Sequence, residues 1–386
     1  MRILGIETSC DETAAAVVET RRGASLPIVL SNIISSQIEI HKKYGGVVPE
    51  VAAREHVLNI LPVINEALEK AGAYPFQSLP FARGGKLVSP SLRRRGLGEV
   101  KKFDAIAVTT GPGLITSLQV GVETAKVLSY VWNIPVISVN HIEGHIYANF
   151  VGKVKSSANT ADRRQSKVKS NIIFTALILT VSGGHTMLIL MKGHGKHKVI
   201  GETLDDAAGE AFDKAAAMLG IGYPGGPAIA KQASQWKSQI PNPKSQIILP
   251  RPMINSRDYN FSFSGLKTAL LYKIKKDSNW KKYIPEYAHE FQQAVIDVLI
   301  HKTIKAANNY KVKTIMLSGG VAANIELRKQ MAEKIKKLLP TSYFLLPDLK
   351  YTTDNAAMIA TAGYFKAIRK KFTPWQKLKA DCNLEF

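Results

Sequence analysis

Twice in this chain a short apolar stretch runs directly into Ser-Gly-Gly, at Ser182-Gly183-Gly184 and at Ser318-Gly319-Gly320. A third strand-like stretch, residues 3–6, runs into Thr8-Ser9-Cys10-Asp11-Glu12-Thr13 and out again through residues 14–18. Glycine just after a strand lets the backbone approach a ligand, and the N–H groups of such a turn bind anions. Glycines also serve ordinary hairpins, so one such turn says little. Three of them, two nearly identical, predict a duplicated nucleotide-binding architecture with the nucleotide between two lobes.

The remaining pattern agrees. Further short, β-branched apolar runs at 105–108, 135–139, 172–181, 187–191, 314–317 and 343–346 read as buried strands. Between them lie helical periodicities. One opens at Pro49 and runs through Val51, Val57 and Leu61; the others cover 115–132, 205–219, 287–308 and 324–339. Strands alternating with helices mean an α/β fold. A length of 386 residues makes two lobes the default.

Charge narrows the partners. The chain carries 52 Lys and Arg against 30 Asp and Glu, a net charge of +22. A protein this basic usually meets a polyanion, most often nucleic acid, although a basic proteome or a saline habitat produces the same balance. Residues 72–102 hold Arg83, Lys86, Arg93, Arg94, Arg95, Lys101 and Lys102 against Glu99 alone. Residues 152–171 hold six more cations against Asp162. Both lack apolar periodicity and read as basic insertions in surface loops, supplying salt-sensitive phosphate contacts or merely solubility. Two cysteines, Cys10 and Cys382, exclude a disulfide framework and a cysteine-based zinc site. The longest apolar run, 172–181, falls short of the ~20 residues a spanning helix needs. Glu7, Asp11 and Glu12 break any signal-peptide core. A soluble, cytoplasmic protein without membrane contact is expected.

Several clusters carry chemistry. His141-Ile142-Glu143-Gly144-His145 follows the strand at 135–139. On a helix the two histidines stand one turn apart on one face and can share a metal. Glu143 falls about 200° round the helix from the first histidine, which argues against a metallopeptidase base. A third ligand is needed, and a carboxylate suits. Asp354, in Tyr351-Thr352-Thr353-Asp354-Asn355, is the candidate, yet the same residue reads equally as the cap of the apolar helix that follows. Asp206, Glu210 and Asp213 form an acidic stripe, either paired with the chain's own lysines or placed for ribose hydroxyls. Tyr223-Pro224-Gly225-Gly226-Pro227 is a tight turn that can approach a sugar or base, or an ordinary loop. Asn324 begins the helix after the second Ser-Gly-Gly, as cap or as nucleotide ligand. Phe261 to Thr268 places Lys267 in a glycine-containing turn, but without phosphate-loop spacing.

Together these segments resemble the TsaD family of tRNA threonylcarbamoyltransferases, the bacterial and mitochondrial branch. The stretches that carry the resemblance run in order along nearly the whole chain. They are Gly5 to Thr13, His41 to His56, Thr110-Gly111-Pro112-Gly113-Leu114, His141 to His145, Val181 to Thr186, Asp205 to Lys214, Tyr223 to Pro227, Phe261 to Thr268, Ser318 to Asn324 and Tyr351 to Met358. The two basic insertions depart from the family pattern, as does Thr352, where cysteine is common.

The resemblance implies an actin/Hsp70/sugar-kinase-like fold, two ribonuclease-H-like lobes around a central cleft. The lobes would be residues 1–149 with 351–386 packing back on them, and residues 172–350. It implies an acyltransferase that moves threonylcarbamoyl from threonylcarbamoyl-AMP to N6 of the adenine 3′ of the anticodon, position 37, in tRNAs reading ANN codons, releasing AMP. The metal ligands would be His141, His145 and Asp354, holding one divalent ion per chain: iron(II), with zinc or magnesium as alternatives. Substrate contacts would be Thr180, Val181, Ser182, Gly183, Gly184, Asp213, Gly226 and Asn324, with no catalytic residue beyond the metal site. TsaB-like and TsaE-like proteins are the implied partners. The helices after Pro49 (Val51, Val57, Leu58, Leu61, Ile64) and Leu114 (Leu118, Val122, Ala125, Leu128) would pair with such a partner or with a second copy, unless both stripes face their own sheet. The rivals are a small-molecule kinase or ATPase of the same fold, a metallopeptidase, and a non-catalytic scaffold in a tRNA-modifying assembly.

Overall fold

The computed structural model describes residues 1–20, 26–73, 103–152, 172–239 and 246–386. Apart from residues 72, 73 and 152, both basic insertions, with Arg93, Arg94 and Arg95, lie outside the described residues. The elements are β1 (Arg2–Glu7), β2 (Glu12–Glu19), β3 (Ile28–Ser36), α1 (Ile38–His41), α2 (Pro49–Lys70), β4 (Ala105–Gly111), α3 (Ile115–Trp132), β5 (Val136–Asn140) and α4 (His141–Tyr147). They continue with β6 (Ala176–Val181), β7 (Thr186–Gly193), β8 (Lys196–Glu202), α5 (Ala208–Leu219), α6 (Gly225–Gln239), α7 (Ser264–Lys276) and α8 (Ile284–Asn309). The last are β9 (Thr314–Ser318), α9 (Ile325–Leu338), β10 (Tyr343–Leu345) and α10 (Ala356–Ala367).

The chain divides into two units. The first comprises Met1–Ser35, Ala53–His141 and Asn355–Leu384. Its five-stranded sheet has the order β3-β2-β1-β4-β5. β1 runs antiparallel to β2 and parallel to β4, and β4 runs parallel to β5. Every residue of β1 and β4 is buried, which explains their unbroken apolar runs. α10 packs on β1, β2 and β4. Small residues allow that approach: a Cβ on Gly5 would stand 2.4 Å from the Ala356 carbonyl oxygen.

The second unit comprises Ser36–Ala52, Ile142–Asp354 and Glu385–Phe386. Its sheet has the order β10-β9-β6-β7-β8. β6 runs antiparallel to β7 and parallel to β9. From its other edge the order is β8-β7-β6-β9-β10, so both sheets are a three-strand meander followed by two parallel strands. The duplication expected from the sequence is therefore present, but between other segments than the Ser-Gly-Gly pair. The β1–β2 turn corresponds to the β6–β7 turn, which holds Ser182-Gly183-Gly184. The end of β4, at Gly111, corresponds to the end of β9, at Ser318. The two Ser-Gly-Gly turns are neighbours in one sheet, with Thr180 in register with Ser318. Beneath them Phe212, Phe261, Phe263, Phe291 and Leu299 lie in one buried cluster with the apolar face of α8. Burying each such side chain contributes roughly 1.5–3 kcal/mol.

The helix expected over 205–219 starts later, at Ala208, because residues 205–207 enter as a turn. α2 and α3 each show two faces. Of the stripes expected to meet a partner, Ile64, Leu118, Val122 and Ala125 are instead buried, as are Ile60 and Val63, while Val57, Leu58 and Leu61 are exposed; on α3 the exposed apolar residues are Val127, Tyr130 and Val131, outside the expected stripe. Among the described residues, no helix is long and apolar enough to cross a membrane.

Candidate functional site

β5 passes directly into α4, so His141 starts the helix and His145 follows one turn later. Both are buried. Asp354 brings a carboxylate to them: its Oδ1 lies 3.3 Å from Nε2 of His145. One ligand atom each from His141, His145 and Asp354 lies within 4.8 Å of the others. Two imidazoles and one carboxylate are the donor set of open iron and zinc centres, so the residues fit a divalent metal. Glu143 is buried and stands outside this group.

The capping alternative for Asp354 is overturned. The cap of α10 is the next residue, Asn355, whose side chain accepts the N–H of Met358 at 3.1 Å. Asn324, by contrast, is a cap: its Oδ1 accepts the N–H of Leu327 at 3.0 Å, and its Nδ2 donates to Gln292 at 2.8 Å.

The other expected contacts fall on the second unit and are linked by short contacts. Thr180 and Val181 end β6, and the Thr180 hydroxyl lies 2.8 Å from that of Ser318. Gly319 follows with φ +86°, and a Cβ there would stand 2.3 Å from the Val181 carbonyl oxygen. Ser182 and Gly183 turn their carbonyls to the first turn of α5, accepting the N–H groups of Gly209 and Glu210, both at 3.2 Å. A Cβ on Gly183, Gly184 or Gly226 would meet nothing within 4 Å, so the space beside these glycines is open. Asp213 Oδ1 accepts the N–H of Gly225 at 2.7 Å, tying α5 to the start of α6.

The acidic stripe is largely paired with the chain's own lysines. Lys214 bridges Asp206 and Glu210, each at 2.7 Å, and Lys267 reaches Asp206 at 3.3 Å. These carboxylates raise the Lys214 ammonium above its ordinary range. Asp206 lies before α5 rather than on it, so the regular spacing did not mean one helix face.

Two features carry no signal in the local sequence. Asp205 holds the segment before α7: its carboxylate accepts from the hydroxyls of Ser262 and Ser264, both at 2.6 Å, and from the N–H of Phe263 at 2.8 Å. Burial opposes its charge, but these hydrogen bonds outweigh it and hold the carboxyl below the ordinary range. Behind His141 stands Glu7, a fully buried carboxylate.

A family model for TsaD, described as tRNA N6-adenosine threonylcarbamoyltransferase, matches residues 28–77 and 91–361. A curated relative of that description from Dehalococcoides mccartyi BAV1 is 48% identical over 372 residues, covering 96% of this chain and 95% of the relative. Another, from Bacillus subtilis 168, is 45% identical over 365 residues, covering 94% and 90%. Among solved structures, HypF from T. kodakarensis aligns with a TM-score of 0.55 at 13% identity, over 98% of this chain and 48% of that one. That likeness is one of fold alone, and the chain spans about half of HypF. The kinase and metallopeptidase alternatives are not favoured by these matches. By its family match and by near-full-length relatives of one description, the chain belongs to the TsaD family of tRNA N6-adenosine threonylcarbamoyltransferases.

Proposed function

We propose that this chain transfers threonylcarbamoyl from threonylcarbamoyl-AMP to N6 of the adenosine at position 37 in tRNAs reading ANN codons, releasing AMP. The observation that carries the reading is the gathering of His141, His145 and Asp354 in a chain of this family. A bond forms between N6 and the carbamoyl carbon. The bond from that carbon to the phosphate oxygen breaks, N6 loses a proton, and AMP leaves with the electron pair. The mixed anhydride is already activated and N6 is a weak nucleophile, so the work is positioning and charge stabilisation. The target base sits in a single-stranded loop, where leaving the stack costs little.

The exposed turn at Gly183 and Gly184 offers backbone N–H groups to the adenylate, in open space. Thr180, Val181, Ser182, Gly226 and Asn324 complete the substrate contacts, and Asp213, anchored through Gly225, takes the ribose hydroxyls. His141, His145 and Asp354 hold one divalent metal, which supplies Lewis-acid stabilisation of substrate oxygens when bound. Two imidazoles in the set suit iron(II) or zinc rather than magnesium, which takes oxygen ligands, and the family resemblance implies iron(II) first.

The net charge of +22 suits tRNA. TsaB-like and TsaE-like proteins are assigned as partners in the cytoplasm. The exposed apolar residues Val57, Leu58 and Leu61 on α2, and Val127, Tyr130 and Val131 on α3, support helix pairing with the TsaB-like protein, or with a second copy in its absence. The reading is tested by AMP release from threonylcarbamoyl-AMP with the candidate partners present. Release should require tRNA. Phosphoryl transfer to sugars from ATP without any tRNA effect would replace this reading with the kinase alternative.

A further inference from the structure

Glu7 ends β1 and is fully buried, and three polar groups surround its carboxylate. Oε1 accepts the Ser9 N–H at 2.6 Å. Oε2 accepts the Thr109 hydroxyl at 2.8 Å and lies 3.1 Å from Nδ1 of His141. The Ser9 hydroxyl is also 3.1 Å from that Nδ1. A hydroxyl donates or accepts, so Ser9 suits either tautomer of the imidazole. A carboxylate only accepts, so Glu7 suits only the tautomer with the proton on Nδ1. Glu7 itself stands outside the group of candidate ligands. It acts on the ring.

We propose that Glu7 is a positioning residue of the metal centre: its buried carboxylate fixes His141 as the Nδ1–H tautomer and so leaves Nε2 with the lone pair that binds a metal. This rests on the reading of His141, His145 and Asp354 as metal ligands. A second contact of this kind fixes ring orientation and ligand basicity in metal sites generally. Thr109, at the end of β4, and the Ser9 N–H hold the carboxylate itself, so strands β1 and β4 set the aim of a residue that starts α4.

Glu7→Gln separates charge and donor pattern from shape. Glutamine has one accepting oxygen and one donating nitrogen, whereas both oxygens of the Glu7 carboxylate only accept. If the glutamine oxygen keeps the Ser9 N–H, its amide donates toward Nδ1 and moves the ring proton to Nε2, the wrong nitrogen for the metal.

The test is the 15N imidazole spectrum of the metal-free full-length protein, with His141 assigned by its loss in His141→Gln. It is recorded at a pH where the His141 15N shifts themselves show a neutral ring. Wild type should carry the proton on Nδ1, Thr109→Val should keep it there, and Glu7→Gln should carry it on Nε2. Calorimetric titration with Zn(II), and with Fe(II) under anaerobic conditions, should show affinity about 10–100-fold weaker in Glu7→Gln. A wild-type proton on Nε2, or an unchanged tautomer and affinity in Glu7→Gln, overturns the proposal. Where the variant does not fold, a wild-type proton on Nε2 still overturns the proposal. An Nδ1–H ring in a wild type that binds neither metal overturns the reading of the metal site instead.

Discussion

Nε2 of His145 lies 3.3 Å from Oδ1 of Asp354, and Asp354 does not cap α10. The cap is Asn355, so ligand and cap occupy adjacent residues and can be removed separately. Asp354→Ala should lose bound metal and nearly all activity while melting close to wild type. Asn355→Ala should lose about 1 kcal/mol of stability and keep its metal. Metal analysis and thermal melts check both; equal metal content in wild type and Asp354→Ala would refute the ligand assignment.

The two Ser-Gly-Gly turns should respond differently to side chains. Gly184 has open space, so Gly184→Val should fold normally and lose adenylate binding. Gly319 has φ +86° and the Val181 carbonyl oxygen 2.3 Å from any Cβ, so Gly319→Ala should be destabilised by at least ~1–3 kcal/mol. Denaturant melts and AMP titrations separate the outcomes; undiminished AMP binding by Gly184→Val would count against the adenylate turn.

Much of this was legible because burial writes itself into apolar runs. The sequence pattern of α3 matches its observed bounds, Ile115–Trp132, since its buried side is apolar at helical spacing. β8 escaped because it reads Lys-His-Lys at its start and lies at a sheet edge, with most of its residues at least partly exposed. α6 escaped because Gly225-Gly226-Pro227 reads as a turn, although glycine and proline are tolerated in a first helical turn. Asp354 and Asn355 are equally good caps on paper, and only the backbone path decides between them. Glu7 offered no spacing signal, because its partners come from residues 9, 109 and 141 and meet only when the sheet forms.

The exposed apolar residues on α2 and α3 should matter for association rather than folding. Leu58→Asp or Val127→Asp should abolish co-purification with a TsaB-like protein and leave the melt unchanged, since both positions are exposed. Leu118→Asp should unfold the first unit, because it buries a charge without a partner. Undisturbed co-purification of both exposed variants would remove the pairing surface.

His56 braces the Thr8–Thr13 turn. Its Nδ1 lies 2.7 Å from the Thr13 hydroxyl and its Nε2 lies 2.9 Å from the Cys10 carbonyl oxygen. Burial pushes its pKa below the ordinary 6.5, against the raising influence of that carbonyl, Glu7, Asp11 and Glu55. The unfolded chain therefore binds more protons below pH 6.5. Its contribution to stability is present above that pH and is lost as pH falls through the lowered folded pKa. His56→Gln should flatten this part of the stability–pH curve. Parallel curves for wild type and variant would show that His56 is not responsible.

The most direct measurement is position-resolved mass spectrometry of tRNA after incubation with this protein, threonylcarbamoyl-AMP, and TsaB-like and TsaE-like proteins. Threonylcarbamoyladenosine should form at position 37 of ANN-reading tRNAs, and not when Asp354→Ala replaces wild type. Unmodified adenosine at position 37 with every component active in a control reaction, or modification at other adenosines, would contradict the assigned function.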